Sequence, residues 1–131
     1  MYNLYARRTI ILFIFGFLLV SNCYAQPLTK VQLKNYLKNQ WDTLPVFTSK
    51  QEVDDYFVKL HSLITGYRDK FPVIYELIHG LSWNYHIKIL LDRGWQENVQ
   101  YRDFETQIVI TDLQTIITNA VIGQRNAFNK I

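Results

Sequence analysis

Seven apolar residues within residues 53–67 constrain the fold more than any other feature. Val53, Tyr56, Phe57, Leu60, Leu63, Ile64 and Tyr67 fall at i, i+3, i+4, i+7, i+10, i+11 and i+14, which is one continuous stripe along an α-helix. Ser49-Lys-Gln-Glu52 stands immediately before the stripe and has the form of a capping box, with Ser49 accepting from the N3 amide and Glu52 reaching back to the N-cap amide. A helix with one apolar stripe is unstable alone, so other helices or a sheet must cover it.

Three further segments supply such partners. Residues 29–41 form a helix with Thr29 as its N-cap; Val31, Leu33, Tyr36, Leu37 and Trp41 are its apolar positions, and Lys30, Lys34 and Lys38 recur every fourth residue on another face. The loop at 42–48 carries Pro45. Pro72 suits the first turn of a third helix and Arg93-Gly94 its end. Ile74, Leu77, Ile78, Leu81 and Tyr85 share a face of this helix. Residues 83–92 also alternate like a strand, from Trp83 to Leu91, but no second strand of equal quality is available to pair with them. The last helix begins after Glu97 and closes at Gly123, with Val109, Ile110, Leu113, Ile116, Ile117, Ala120 and Val121 on one half of its circumference. Tyr101 and Phe104 lie off that stripe, which leaves its start kinked or separate, and residues 124–131 are expected to fray. The expected fold is all-α, a small four-helix up-and-down bundle. The alternative is α+β, with a short strand at 83–92.

The N-terminus reads as an export signal. Arg7 and Arg8 precede twelve uncharged residues, Thr9 to Val20, and Ser21-Asn-Cys-Tyr-Ala25 follows with small residues at the break. The apolar run is shorter than the roughly 20 residues a bilayer span needs. Cleavage after Ala25 is expected, giving a signal peptide at 1–25 and a single helical domain at 26–131. Leu19-Val-Ser-Asn-Cys23 also has the outline of a lipoprotein box with Asn22 at a position that wants a smaller residue, so lipidation at Cys23, giving a membrane-anchored lipoprotein, is the minority outcome. Loss of 25 residues changes what the composition means. The net charge falls from +3 to +1, the lone cysteine disappears, and 106 residues remain. That excludes a disulfide or thiolate chemistry in the mature chain and argues against nucleic acid as a partner.

No catalytic motif stands out. There is no Gly-x-Ser-x-Gly elbow, no His-Glu-x-x-His and no phosphate loop, and the three histidines and three serines that remain after residue 25 would satisfy a loose search for a triad in almost any chain. Asp54 and Asp55 sit early in a helix, where acids complement the macrodipole. Glu76, His79 and His86, with Trp83 among them, occupy about 80° of arc when plotted at 100° per residue, and they point away from the third helix's apolar face. Glu-x-x-His is how di-iron bundles present ligands, so Glu76, His79 and His86 are the candidate metal set, but the second copy such a site requires is missing. Asp54, Asp55 and His61 could complete another metal site, though no motif constrains that choice. The favoured candidate site is instead a protein-binding face of Trp83 with Tyr75, His79 and His86, because Trp and Tyr dominate interface hot spots; the competing reading is a third helix buried on two sides. The expectation is therefore a non-catalytic, periplasmic or secreted bacterial interaction protein without a cofactor. It would be an adaptor, an inhibitor or immunity-type partner, or an envelope-complex component. It would touch a membrane only through the signal segment or a lipidated Cys23. A metal- or cofactor-binding bundle is the alternative.

Overall fold

The computed structural model describes residues 27–103 and 105–131, without the side chains of Val109 and Ile110. The expected signal peptide at 1–25, its expected cleavage point and Cys23 lie outside the described residues. The chain divides into two compact units at Leu44/Pro45. No helix among the described residues is long and apolar enough to cross a membrane.

In the first unit, α1 spans Lys30–Asp42. Thr29 caps it as expected and does so reciprocally: the Gln32 amide donates to Thr29 Oγ1 at 3.2 Å, and the Thr29 amide donates to Gln32 Oε1 at 2.9 Å. Leu33, Leu37 and Trp41 are its buried positions, a spacing of four that keeps one side apolar. Val31 is 67% exposed and falls outside that side.

The second unit holds α2 (Lys50–Thr65), α3 (Pro72–Asp92), β1 (Gln100–Asp103), β2 (Ile108–Asp112) and α4 (Leu113–Asn129). Ser49 caps α2 by accepting from the Glu52 amide at 3.2 Å. The other half of the capping box differs from expectation. The Glu52 carboxylate takes the Thr48 amide and hydroxyl, at 2.9 and 2.8 Å, in place of the Ser49 amide. Those two bonds hold the Glu52 carboxyl below the usual range. Val53, Phe57, Leu60 and Ile64 are buried on α2 as the period predicts, and His61 is buried with them.

α3 is helical throughout, including residues 83–92. Pro72 occupies its first turn and Gly94 follows the C-cap residue Arg93 at φ +72°, the left-handed conformation that glycine adopts without strain. α3 packs against α2 on one side and α4 on the other. Its buried residues accordingly go beyond the single face read from the sequence: Tyr75, Ile78, Ser82 and His86 are buried together with Leu81, Leu90 and Leu91. Toward α4, Asn84 donates to Gln124 Oε1 at 2.8 Å and Arg125 donates to the Tyr85 hydroxyl at 3.0 Å.

The last segment departs most from expectation. In place of one helix starting soon after Glu97, an antiparallel hairpin precedes α4, with Gln100 opposite Asp112, Asp103 opposite Ile108 and a register shift between Tyr101 and Arg102. Ile108, Val109, Ile110 and Thr111 are four consecutive β-branched residues, which lose side-chain freedom in a helix and keep it in a strand. Asp103 accepts from the Glu105 amide at 3.0 Å, and Gln107 turns the chain at φ 61°. Asp112 then caps α4 by accepting from the Thr115 amide at 2.8 Å. At the far end, Gly123 lies inside α4, which continues to Asn129. The expected frayed tail is thus helical, because Phe128 is 1% exposed and its burial outweighs the helix penalty of one glycine, about 1 kcal/mol. The described fold is mostly helical with one small hairpin.

Candidate functional site

Three buried polar side chains stand out among the described residues: His61, Ser82 and His86. Burying a polar group without a partner costs free energy, so such groups are expected to find one another. They do. His61 is four residues after Phe57 on the buried line of α2, while Ser82 and His86 are four apart on the side of α3 that meets it.

Ser82 Oγ lies 3.1 Å from His61 Nδ1, His61 Nε2 lies 3.4 Å from His86 Nδ1, and His86 Nε2 lies 2.7 Å from Asp54 Oδ1. Lys50 Nζ sits on the other Asp54 oxygen at 2.6 Å. The result is a chain of polar groups running from a fully buried hydroxyl to a surface ion pair. Hydrogen-bond from Lys50, then from His86, keeps the Asp54 carboxyl below its usual range, so Asp54 is an acceptor. Its partner His86 Nε2 must donate. A neutral His86 then accepts at Nδ1 from His61 Nε2–H, which leaves His61 Nδ1 to accept from the Ser82 hydroxyl. With both imidazoles neutral, every bond in the chain has one donor and one acceptor, all directed toward Asp54.

Aromatic rings enclose the chain. Trp83 stacks on His61 with centroids 4.1 Å apart and planes 15° apart. Phe57 stacks on His86 at 4.9 Å and 7°. Burial pushes the His61 imidazole down to about 4, and the charges of His86 and His79 act in the same direction. His61 is neutral at physiological pH on this account.

Of the residues singled out as an interaction face, Trp83 is 42% exposed and His79 is half-buried against Tyr75, with ring centroids 5.1 Å apart. Tyr75 and His86 are buried, at 6% and 7%. The arc that points away from the apolar face in the sequence is thus turned toward α2 at His86 and Trp83, and toward solvent at exposed Glu76. The candidate metal set Glu76, His79 and His86 does not converge: among the described residues no three His, Cys, Asp or Glu side chains could hold a metal ion. Asp55 is exposed and takes no part in the chain; its carboxylate accepts from Gln51 Nε2 at 2.8 Å.

Sequence reasoning placed His61 with the acids of α2 and passed over Ser82. The signal was the phase of both. His61 is in register with Val53, Phe57 and Ile64, and Ser82 is in register with Tyr75, Ile78 and His86. Chemically, a hydroxyl on an imidazole backed by a carboxylate has the order of a hydrolytic triad with a second imidazole interposed. Ser82 has no exposed surface, and a nucleophile must come within about 3–3.5 Å of the atom it attacks. In this conformation the Ser82 side chain is closed off from solvent. No family model matches the chain, and neither a curated protein nor a solved structure matches it.

Proposed function

We propose that the chain is a small exported protein-interaction module, non-catalytic, working in the periplasm or outside the cell after loss of residues 1–25, with its helices completing an up-and-down bundle. The observation that carries this reading is Trp83. It is the one tryptophan of α3, 42% accessible, and one face of its ring packs on the His61 ring. A large aromatic already fixed in place loses little freedom when a partner covers it, and tryptophan is the residue most enriched in binding hot spots. The burial of Ser82, the group most like a nucleophile, weighs against hydrolysis. The partner is another envelope or periplasmic protein, and neither nucleic acid nor a cofactor enters the reading.

The test is site-specific photo-crosslinking in the native host with Trp83 kept, the photoreactive residue standing at position 76, where exposed Glu76 shares the arc of Trp83, and, as a control, at position 58, where Val58 is also exposed. A discrete protein adduct is expected from position 76 and not from 58, weakened by Trp83→Ala competitor less than by wild-type competitor. Equal labelling from both positions would overturn the reading. N-terminal sequencing of the mature protein tests export separately: Gln26, or a lipid-modified Cys23, supports it, and an intact Met1 on the accumulated protein refutes it.

A further inference from the structure

The chain of groups between α2 and α3 has a property that a packed apolar contact lacks: it holds a limited number of protons. With both imidazoles neutral, all three hydrogen bonds close toward Asp54. One added proton is still accommodated. His86 then donates from both nitrogens, to Asp54 and to His61 Nε2, while His61 shifts its own proton to Nδ1 and donates to Ser82. A second added proton has no place. His61 Nε2–H and His86 Nδ1–H would face each other at 3.4 Å, two donors and two positive charges in a site where both rings are more than nine-tenths buried.

We propose that Ser82, His61, His86 and Asp54 form a proton-operated latch between α2 and α3, closed while the two imidazoles hold at most one extra proton and opened by the second, which frees Trp83 from the His61 ring. The charged and titratable groups around it are few. From α3, His79 and His86 face His61, their rings 6.4 and 5.6 Å away. From α2, His61 and Asp54 face His86, and Lys50 offsets the Asp54 charge. The carboxylate serves the His86 end alone, so the His61 end meets only other imidazoles and a neutral hydroxyl. That asymmetry makes His61 the last group to charge. Burial lowers its imidazole to about 4 in agreement with this order. The latch would respond to strong acidification, such as an exported protein meets outside the cell, and stay closed near neutrality. It requires no partner at Trp83 and stands apart from the interaction reading.

Nitrogen-15 NMR of the histidine rings in the full chain tests it. Near neutral pH, His61 is expected as the Nε2–H tautomer. On acidification His61 takes its second proton with a midpoint of about 4, and the Trp83 indole resonance, identified by its loss in Trp83→Phe, shifts with the same midpoint while helical circular dichroism persists. His61→Gln, which cannot charge, is expected to abolish the Trp83 shift. An His61 midpoint at the ordinary 6.5 would overturn the latch. So would a Trp83 signal indifferent to His61, or loss of all helical signal at the same midpoint. The wild-type titration decides even where His61→Gln fails to fold.

Discussion

Ser82 has the fewest atoms of the buried polar trio and the least conspicuous sequence context, yet its hydroxyl is what satisfies His61 Nδ1 in the neutral chain. Ser82→Ala keeps the volume nearly unchanged and leaves that nitrogen without its donor. Equilibrium urea unfolding is expected to show a loss of about 1–2 kcal/mol, against less than about 0.5 kcal/mol for Ser62→Ala at an exposed position of α2. Trp83 was legible as unusual from its place on the helical wheel, since it falls off the apolar face. The rest of the site was not, for a physical reason. Reading apolar periodicity treats histidine and serine as surface residues, and a hydrogen-bonded pair is buried only because its partner lies on another helix, 21 residues away for Ser82 and His61 and 25 for the two imidazoles. Nothing local marks that pairing.

At the scale of the elements, the period of α2 and the ends of α1, α2 and α3 were readable because they depend on residues close in sequence: Thr29 on Gln32, Ser49 on Glu52, Pro72 at the start of α3 and Gly94 after its end; the buried side of α3 was not, because α2 and α4 both cover it. The hairpin was not, because its apolar residues also fit a helical stripe and only the pairing of 100–103 with 108–112 decides between them. Gln107, at φ 61°, holds a conformation that costs an L-residue roughly 1–2 kcal/mol. Gln107→Gly is expected to stabilise the hairpin by a few tenths to about 1 kcal/mol, visible as slower amide exchange across β1 and β2 without a change in α2. The end of α4 offers a second measurement. Phe128 is buried beyond Gly123, with the Arg125 guanidinium 5.7 Å from its ring. Phe128→Ala should cost about 3–5 kcal/mol in thermal or urea unfolding, whereas a frayed tail would leave stability unchanged.

For the whole molecule, the buried histidine separates two ranges of acid sensitivity. His61 titrates at 6.5 when unfolded and at about 4 when folded, so between those values the unfolded chain binds more protons and stability falls as pH falls. The loss across that window is on the order of 2–3 kcal/mol once solvent screening is allowed for, and His61→Gln is expected to flatten it in urea midpoints measured from pH 7 to pH 4. Asp54 and Asp92, both held below the ordinary 3.8, contribute stability that is complete above that value and is lost only at lower pH. Their decline therefore begins where that of His61 ends. The helical character of the chain was readable from composition and period alone, while the proton sensitivity belongs to the meeting of α2 and α3. In the second unit that meeting also joins neighbours along the chain: α2 packs on α3, α3 on α4, β1 on β2, and β2 leads directly into α4. The α2–α3 and β1–β2 interfaces close between consecutive elements, and the α3–α4 interface waits only for the short hairpin between them. Contacts this local in sequence belong with chains that fold in microseconds to milliseconds, so the slowest step expected of this unit is the docking of α4 on α3 and not a search for a remote strand.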